Sequence, residues 1–143
     1  MAYRIALYCT SGGLSAAEGL EAILTAAREQ GADLALSERA SGESWMSGVL
    51  GLGGARGDGG CHVEVHAQSP LAAAMVAEVS DREPSGRIRS ADAVVTLTLS
   101  GTEVDWKVVR AVWIATRSMW TVVPHDDGSG FDVDLDELVA PLS

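Results

Sequence analysis

Apolar and polar positions alternate along the start of the chain. Ile5, Leu7 and Cys9 fall on one side and Ala6 and Tyr8 on the other, the period of a strand with two unlike faces. Thr10-Ser11-Gly12-Gly13 breaks the pattern. Ser15 with Glu18 three residues later then forms a capping box, in which each side chain satisfies an N–H left open at a helix start. The helix is expected to run to about Gln30 on an apolar stripe of Leu20, Ile23, Leu24 and Ala27, with Gly31 placed to stop it. A second strand is predicted from Ala32 to Arg39. Strict alternation returns from Cys61 to Gln68, with Cys61, Val63, Val65 and Ala67 opposite His62, Glu64, His66 and Gln68. Ser69 as cap and Pro70 at the first helical position open a helix through Leu71, Ala74, Met75 and Val79, ending near Ser80. A turn at Pro84-Ser85-Gly86 precedes a fourth strand, Ala91 to Ser100. Thr102 and Asp105 cap a long helix to about Trp120. Thr121 to Val123 is a short fifth strand ended by Pro124, and Asp134 to Val139 a last short helix.

Between Gly48 and Gly60 seven of thirteen residues are glycine, a density costly to order, so residues 41–60 are expected to form a flexible loop. Arg56 stands where a dinucleotide fingerprint needs its third glycine, and no Gly-Lys-Ser/Thr follows, so the loop does not read as a phosphate cradle. The order β-α-β, loop, β-α-β places the chain in the α/β class as an α+β sandwich. Its expected architecture is a ferredoxin-like βαββαβ core extended by a C-terminal α-β-α, all within one domain over residues 1–143. That topology makes the first and third strands antiparallel neighbours, which brings Cys9 near Cys61. It lays the first two helices on the face of Ile5, Leu7, Cys9, Val63, Val65, Val95 and Leu97. The other face then carries Tyr8, His62, Glu64, His66, Thr96 and Thr98. A flavodoxin-like open sheet is the alternative, disfavoured because the glycine segment stands where a crossover helix would be needed.

The 143 residues, 47% hydrophobic and 21% charged, suffice for one ordinary core. A formal charge of -10 argues against nucleic acid and anionic membrane as partners and favours a basic protein or a cation. No apolar run approaches the length of a membrane-spanning helix, and Met1-Ala2-Tyr3-Arg4 leads straight into a strand, so a cytoplasmic location is expected. Cys9 and Cys61 are too few for a disulfide framework and read as buried free thiols. Nine arginines to one lysine, with abundant Ala and Gly, suggest a GC-rich bacterial source.

Two constellations could carry function. On a strand, residues i, i+2 and i+4 leave one face at intervals of about 6.5 to 7 Å, so His62, Glu64 and His66 share a face. Two imidazoles and a carboxylate can act as general acid and base with Tyr8 nearby, or hold a divalent metal with His125 as a third imidazole. Consecutive ligands on one straight strand span about 13 Å, which counts against a full metal triad. On the long helix Trp106, Trp113 and Trp120 recur every seven residues with Arg110 and Arg117 between them. Val104, Val108, Val112, Ala115 and Met119 form a second stripe on nearly the opposite side, expected to meet the sheet. Trp and Arg are enriched at interface hot spots, and after Arg117 the chain holds six acidic residues, Asp126 and Asp127 among them, and no Lys or Arg.

In size and charge the chain is similar to small acidic bacterial proteins that neutralise a toxin, a likeness of composition that assigns no site. The leading expectation is therefore an acidic, immunity-like binding or inhibitor module rather than an enzyme. It would engage a protein partner, basic by complementarity, through Trp106, Arg110, Trp113, Arg117, Trp120, Asp126 and Asp127, and needs no cofactor. The alternative is a small enzyme working through His62, Glu64, His66 and Tyr8 on the open sheet face, with or without a divalent metal. A homodimer through the Trp stripe is a third.

Overall fold

A computed structural model describes residues 3–52, 61–81, 88–99, 103–126 and 131–132. In chain order the elements are β1 (Tyr3–Thr10), α1 (Ala16–Glu29), β2 (Leu34–Ser41), β3 (Trp45–Leu52), β4 (Cys61–Ala67), α2 (Pro70–Ser80), a single 3-10 turn (Ile88–Ser90), β5 (Ala93–Leu99), α3 (Glu103–Met119), β6 (Thr121–Asp126) and the two-residue β7 (Phe131–Asp132). All strands join one sheet in the order β2-β3-β4-β5-β1-β6-β7, every neighbouring pair antiparallel. The class is α+β. Among the described residues no helix is long and apolar enough to cross a membrane.

The starts of α1 and α2 follow their local chemistry; Thr102, expected to cap α3, lies outside the described residues. Ser15 Oγ accepts from the Glu18 N–H and Glu18 Oε1 accepts from the Ser15 N–H, both at 3.1 Å, and these bonds hold the Glu18 carboxyl below its ordinary range. Ser69 Oγ accepts from the Ala72 N–H at 3.0 Å, with Pro70 at the first helical position.

The strand order differs from the ferredoxin-like expectation. β5 stands between β1 and β4, which are therefore not neighbours, and the all-antiparallel pairing excludes a flavodoxin-like sheet. Cys9 is opposite Ala93 at one end of β5, while Cys61 lies one position beyond the His62–Thr98 pair at the other end, so the thiols sit about 20 Å apart rather than together. Burial and the nearby Asp92 charge push the Cys9 thiol far up, which leaves it a neutral core group.

The stretch expected as a loop at 41–60 contains a full strand, β3, paired with β2 on one side and β4 on the other; residues 53–60 lie outside the described residues. Gly48 is in that strand for a steric reason. A Cβ there would stand 2.5 Å from Leu36 Cδ1 and 2.8 Å from the Ser37 carbonyl oxygen. β6 also runs past Pro124 to Asp126, with Pro124 opposite Leu7 in the antiparallel register with β1. The helix expected at 134–139 lies outside the described residues.

α1 and α3 cover one face of the sheet, and α2 lies on the other, against the expectation that the first two helices share a face. The first face carries Ile5, Leu7, Cys9, Val63, Val65, Ala67, Ala93, Val95, Leu97 and Leu99, all buried, against Leu20, Ile23 and Leu24 of α1 and Val108, Val109, Val112 and Ala115 of α3. The second face holds a smaller cluster in which Val76 of α2 and Ile88 of the 3-10 turn meet Ala6, Tyr8, Val94 and Val123. Leu71, expected in the apolar stripe of α2, is 55% exposed, because that helix buries Ala72 and Val76 instead.

The turn from β1 into α1 is held by one carboxylate. Asp92 Oδ1 accepts from the Ser11 N–H at 2.7 Å and the Ser11 hydroxyl at 2.9 Å, and Asp92 Oδ2 accepts from the Gly13 N–H at 2.7 Å. Partial burial pushes this carboxyl up, but the donors together outweigh that and hold it below the usual range. β2 carries a bulge between Ser37 and Ala40, where Glu38 has a φ of 51°.

Two measurements test this account. Gly48→Ala is expected to destabilise by about 1–3 kcal/mol through the clash under Leu36. Gly19→Ala, whose Cβ meets only Trp120 at 3.9 Å, is expected to stabilise by about 0.5–1 kcal/mol; urea unfolding of both variants decides. Because Asp92 is more acidic folded than unfolded, its contribution is complete above the unfolded Asp pKa of about 3.9 and is lost as pH falls through the lower folded value. Asp92→Ala should accordingly lower the urea midpoint at neutral pH, with the gap to wild type narrowing on acidification.

Candidate functional site

The register across β4, β5 and β1 stacks side chains in rows on the second face. Arg4 of β1 is opposite Thr98 of β5, and Thr98 is opposite His62 of β4, so a guanidinium, a hydroxyl and an imidazole share one row. The next row is Ala6, Thr96 and Glu64; the one after is Tyr8, Val94 and His66. Adjacent rows are about 6.5 to 7 Å apart along the strands. Arg4, Ala6, Tyr8, His62, Glu64, His66, Thr96 and Thr98, with Met75 from α2, line a hollow of about 300 Å³. Its floor at Ala6 and its end at Tyr8 are buried, whereas Arg4 and His62 at its other end are exposed. The hollow therefore has a closed end under α2 and a polar mouth.

Within it His66 Nε2 stands 3.5 Å from Glu64 Oε1, an ion pair when the ring is protonated, with the imidazole 13% exposed and the carboxylate 43% exposed. The strand period alone makes this possible, since i and i+2 project the same way. A carboxylate beside an imidazole can orient the ring and take or give a proton through it. Tyr8 closes the apolar end, its ring edge-on to that of His125 at 5.9 Å.

Four residues singled out from the sequence, Tyr8, His62, Glu64 and His66, are thus brought to one hollow. His125 is not. It is buried opposite Ala6 on β6, three strand spacings or about 14 Å from β4, so the three histidines do not converge on one ion. Among the described residues no group of three or more His, Cys, Asp or Glu is placed to hold a metal ion. Arg4 and Met75 were missed. Arg4 continues the alternation of Ala6 and Tyr8, but only the pairing of β1 with β5 aligns it with His62, and Met75 arrives from a helix expected on the opposite face of the sheet.

The second constellation lies on α3. Trp113 is 8% exposed and belongs to the main core, and Trp106 and Trp120 are half-buried against it. The two stripes read from the sequence merge, because Val109 and Thr116, both fully buried, fill the arc between them. Arg117 is exposed with its guanidinium carbon 5.6 Å from the Trp113 ring centroid, and Arg110 is half-buried. Met119, expected against the sheet, is 36% exposed. Asp126 ends β6, and Asp127 lies outside the described residues.

Trp113→Ala is expected to cost about 3–5 kcal/mol of stability, as loss of a core aromatic does, and urea unfolding measures it. A cost below about 1 kcal/mol would mean that the ring is not part of the core. Compared with protein-family models, curated proteins and solved structures, the chain matches none, so a functional reading rests on the geometry of these residues.

Proposed function

We propose that this chain is a small-molecule-binding domain that works through the hollow on the second face of its sheet, with Glu64 and His66 placed for proton transfer to a bound molecule. One observation carries the reading: Arg4, Tyr8, His62, Glu64, His66, Thr96 and Thr98 from three strands line one hollow of about 300 Å³. Such a concave site, with convergent polar groups above a buried floor, has the size of the smaller small-molecule sites and a more polar lining than most. The polar groups stand on paired strands rather than on a loop, which fixes their spacing before any ligand arrives.

The test is a ligand-observed NMR screen of small polar molecules against the full chain and against Thr98→Trp, which fills the mouth. Thr98 is half-buried on the second face, so the indole should occupy the hollow and leave the main core intact. Ligands should bind the wild type and be lost, by about tenfold or more in affinity, in the variant at unchanged thermal midpoint. Equal binding to both proteins would falsify the reading.

Protein binding through α3 is the second reading, supported by the exposed Arg117 over Trp113 and by the exposed Met119 beyond it. It is the weaker of the two, because the central Trp113 ring is occupied within the chain's own core. A basic partner and an acidic C-terminal segment remain part of that reading.

A further inference from the structure

The rows of the hollow differ in charge, and their order restricts what can bind. The outermost row, Arg4–Thr98–His62, lines up donors across three strands at the solvent-exposed end. A hydroxyl flanked by a guanidinium on one side and an imidazole on the other suits a carboxylate seated over Thr98, whose oxygens can take donors from both sides. One row inward stands Glu64, beside Thr96 and Ala6. A second negative charge on the ligand would fall beside this carboxylate and be repelled. Beyond it the hollow closes on Tyr8, 3% exposed, and on the thioether of Met75, with the His66 ring at its β4 side 3.5 Å from Glu64, surroundings that suit an uncharged body. With a formal charge of -10 the chain as a whole repels anions, so selectivity for one must come from such a local row.

From this order of rows we infer that the hollow takes a small organic monocarboxylate, its carboxylate at Arg4, Thr98 and His62 and its uncharged body over Ala6 toward Tyr8 and Met75. The inference rests on the reading of the hollow as a binding site and adds the ligand's class and orientation. Glu64 has a second role in it, as the group that excludes dianions.

The experiment titrates the full chain with four probes built on one benzene ring, benzoate, benzyl alcohol, benzylamine and terephthalate, following the NMR signals of Thr96, Thr98 and His62. Benzoate should shift these signals and bind at least about tenfold more tightly than benzyl alcohol, benzylamine or terephthalate. Arg4→Gln should weaken benzoate about tenfold in a variant whose NMR spectrum stays that of the folded domain, and His62→Gln should weaken it less. Glu64→Gln should narrow the ratio of benzoate to terephthalate affinity by about tenfold. Preference for benzylamine, or equal affinity for benzoate and benzyl alcohol, overturns the monocarboxylate assignment and leaves the hollow a binding site. An unchanged ratio in Glu64→Gln overturns the role given to Glu64. Signals that no probe moves overturn the assignment and the binding reading together.

Discussion

The register that joins β4, β5 and β1 is the constraint on which the rest of this structure depends. Leu7, Val95 and Val65 align in one row of the first face, as do Ile5, Leu97 and Val63, and these rows are the floor on which α1 and α3 lie. The same pairing aligns Arg4, Thr98 and His62 on the reverse side. Because side chains alternate with a period of two, a slip of one residue would carry the aliphatic rows to the other face and press Glu64 and Arg4 into the core. Core and hollow are therefore two sides of one pairing, and the site inherits its rigidity from burial on the opposite face.

The helices explain why the hollow stays open. α1 and α3 pack side by side on the first face, and the buried arc of α3 is wide enough to meet both the sheet and α1, with Trp113 at its edge and Trp120 over Gly19. Among the described residues only α2 is left for the second face. Its 11 residues span about 16 Å, enough to cover the apolar patch of Ala6, Tyr8, Val94 and Val123 but not the polar rows beside it. The exposed polar half of that face is thus a consequence of how the three described helices are shared between two faces, and not of a gap in the sheet.

The site was legible in part. His62, Glu64 and His66 could be placed on one face from their spacing, and Tyr8, Thr96 and Thr98 from the alternation of their own strands, since a period of two is a local property of the backbone. Arg4 could not be connected to them, because the neighbour of a strand is chosen by packing across the whole sheet. For the same reason His125 looked like a third imidazole until β5 and β1 were found between it and β4. The Trp stripe misled for a related reason: seven-residue spacing describes one side of a helix, while what that side touches depends on where α1 lies.

By itself the sequence determined α1 and α2 with their caps, the course of α3, the two faces of β1, β4 and β5, and an α+β class, because hydrogen bonds within a turn and the alternation of side chains act over a few residues. Only the tertiary structure decided the strand order, the face each helix covers and the strand at β3. At β3 glycine density argued for a loop, yet Gly48 is the residue that lets Leu36 cross close above the strand. Those outcomes turn on contacts between segments far apart in the chain, where total burial, and not local preference, selects among pairings that each segment would accept equally well.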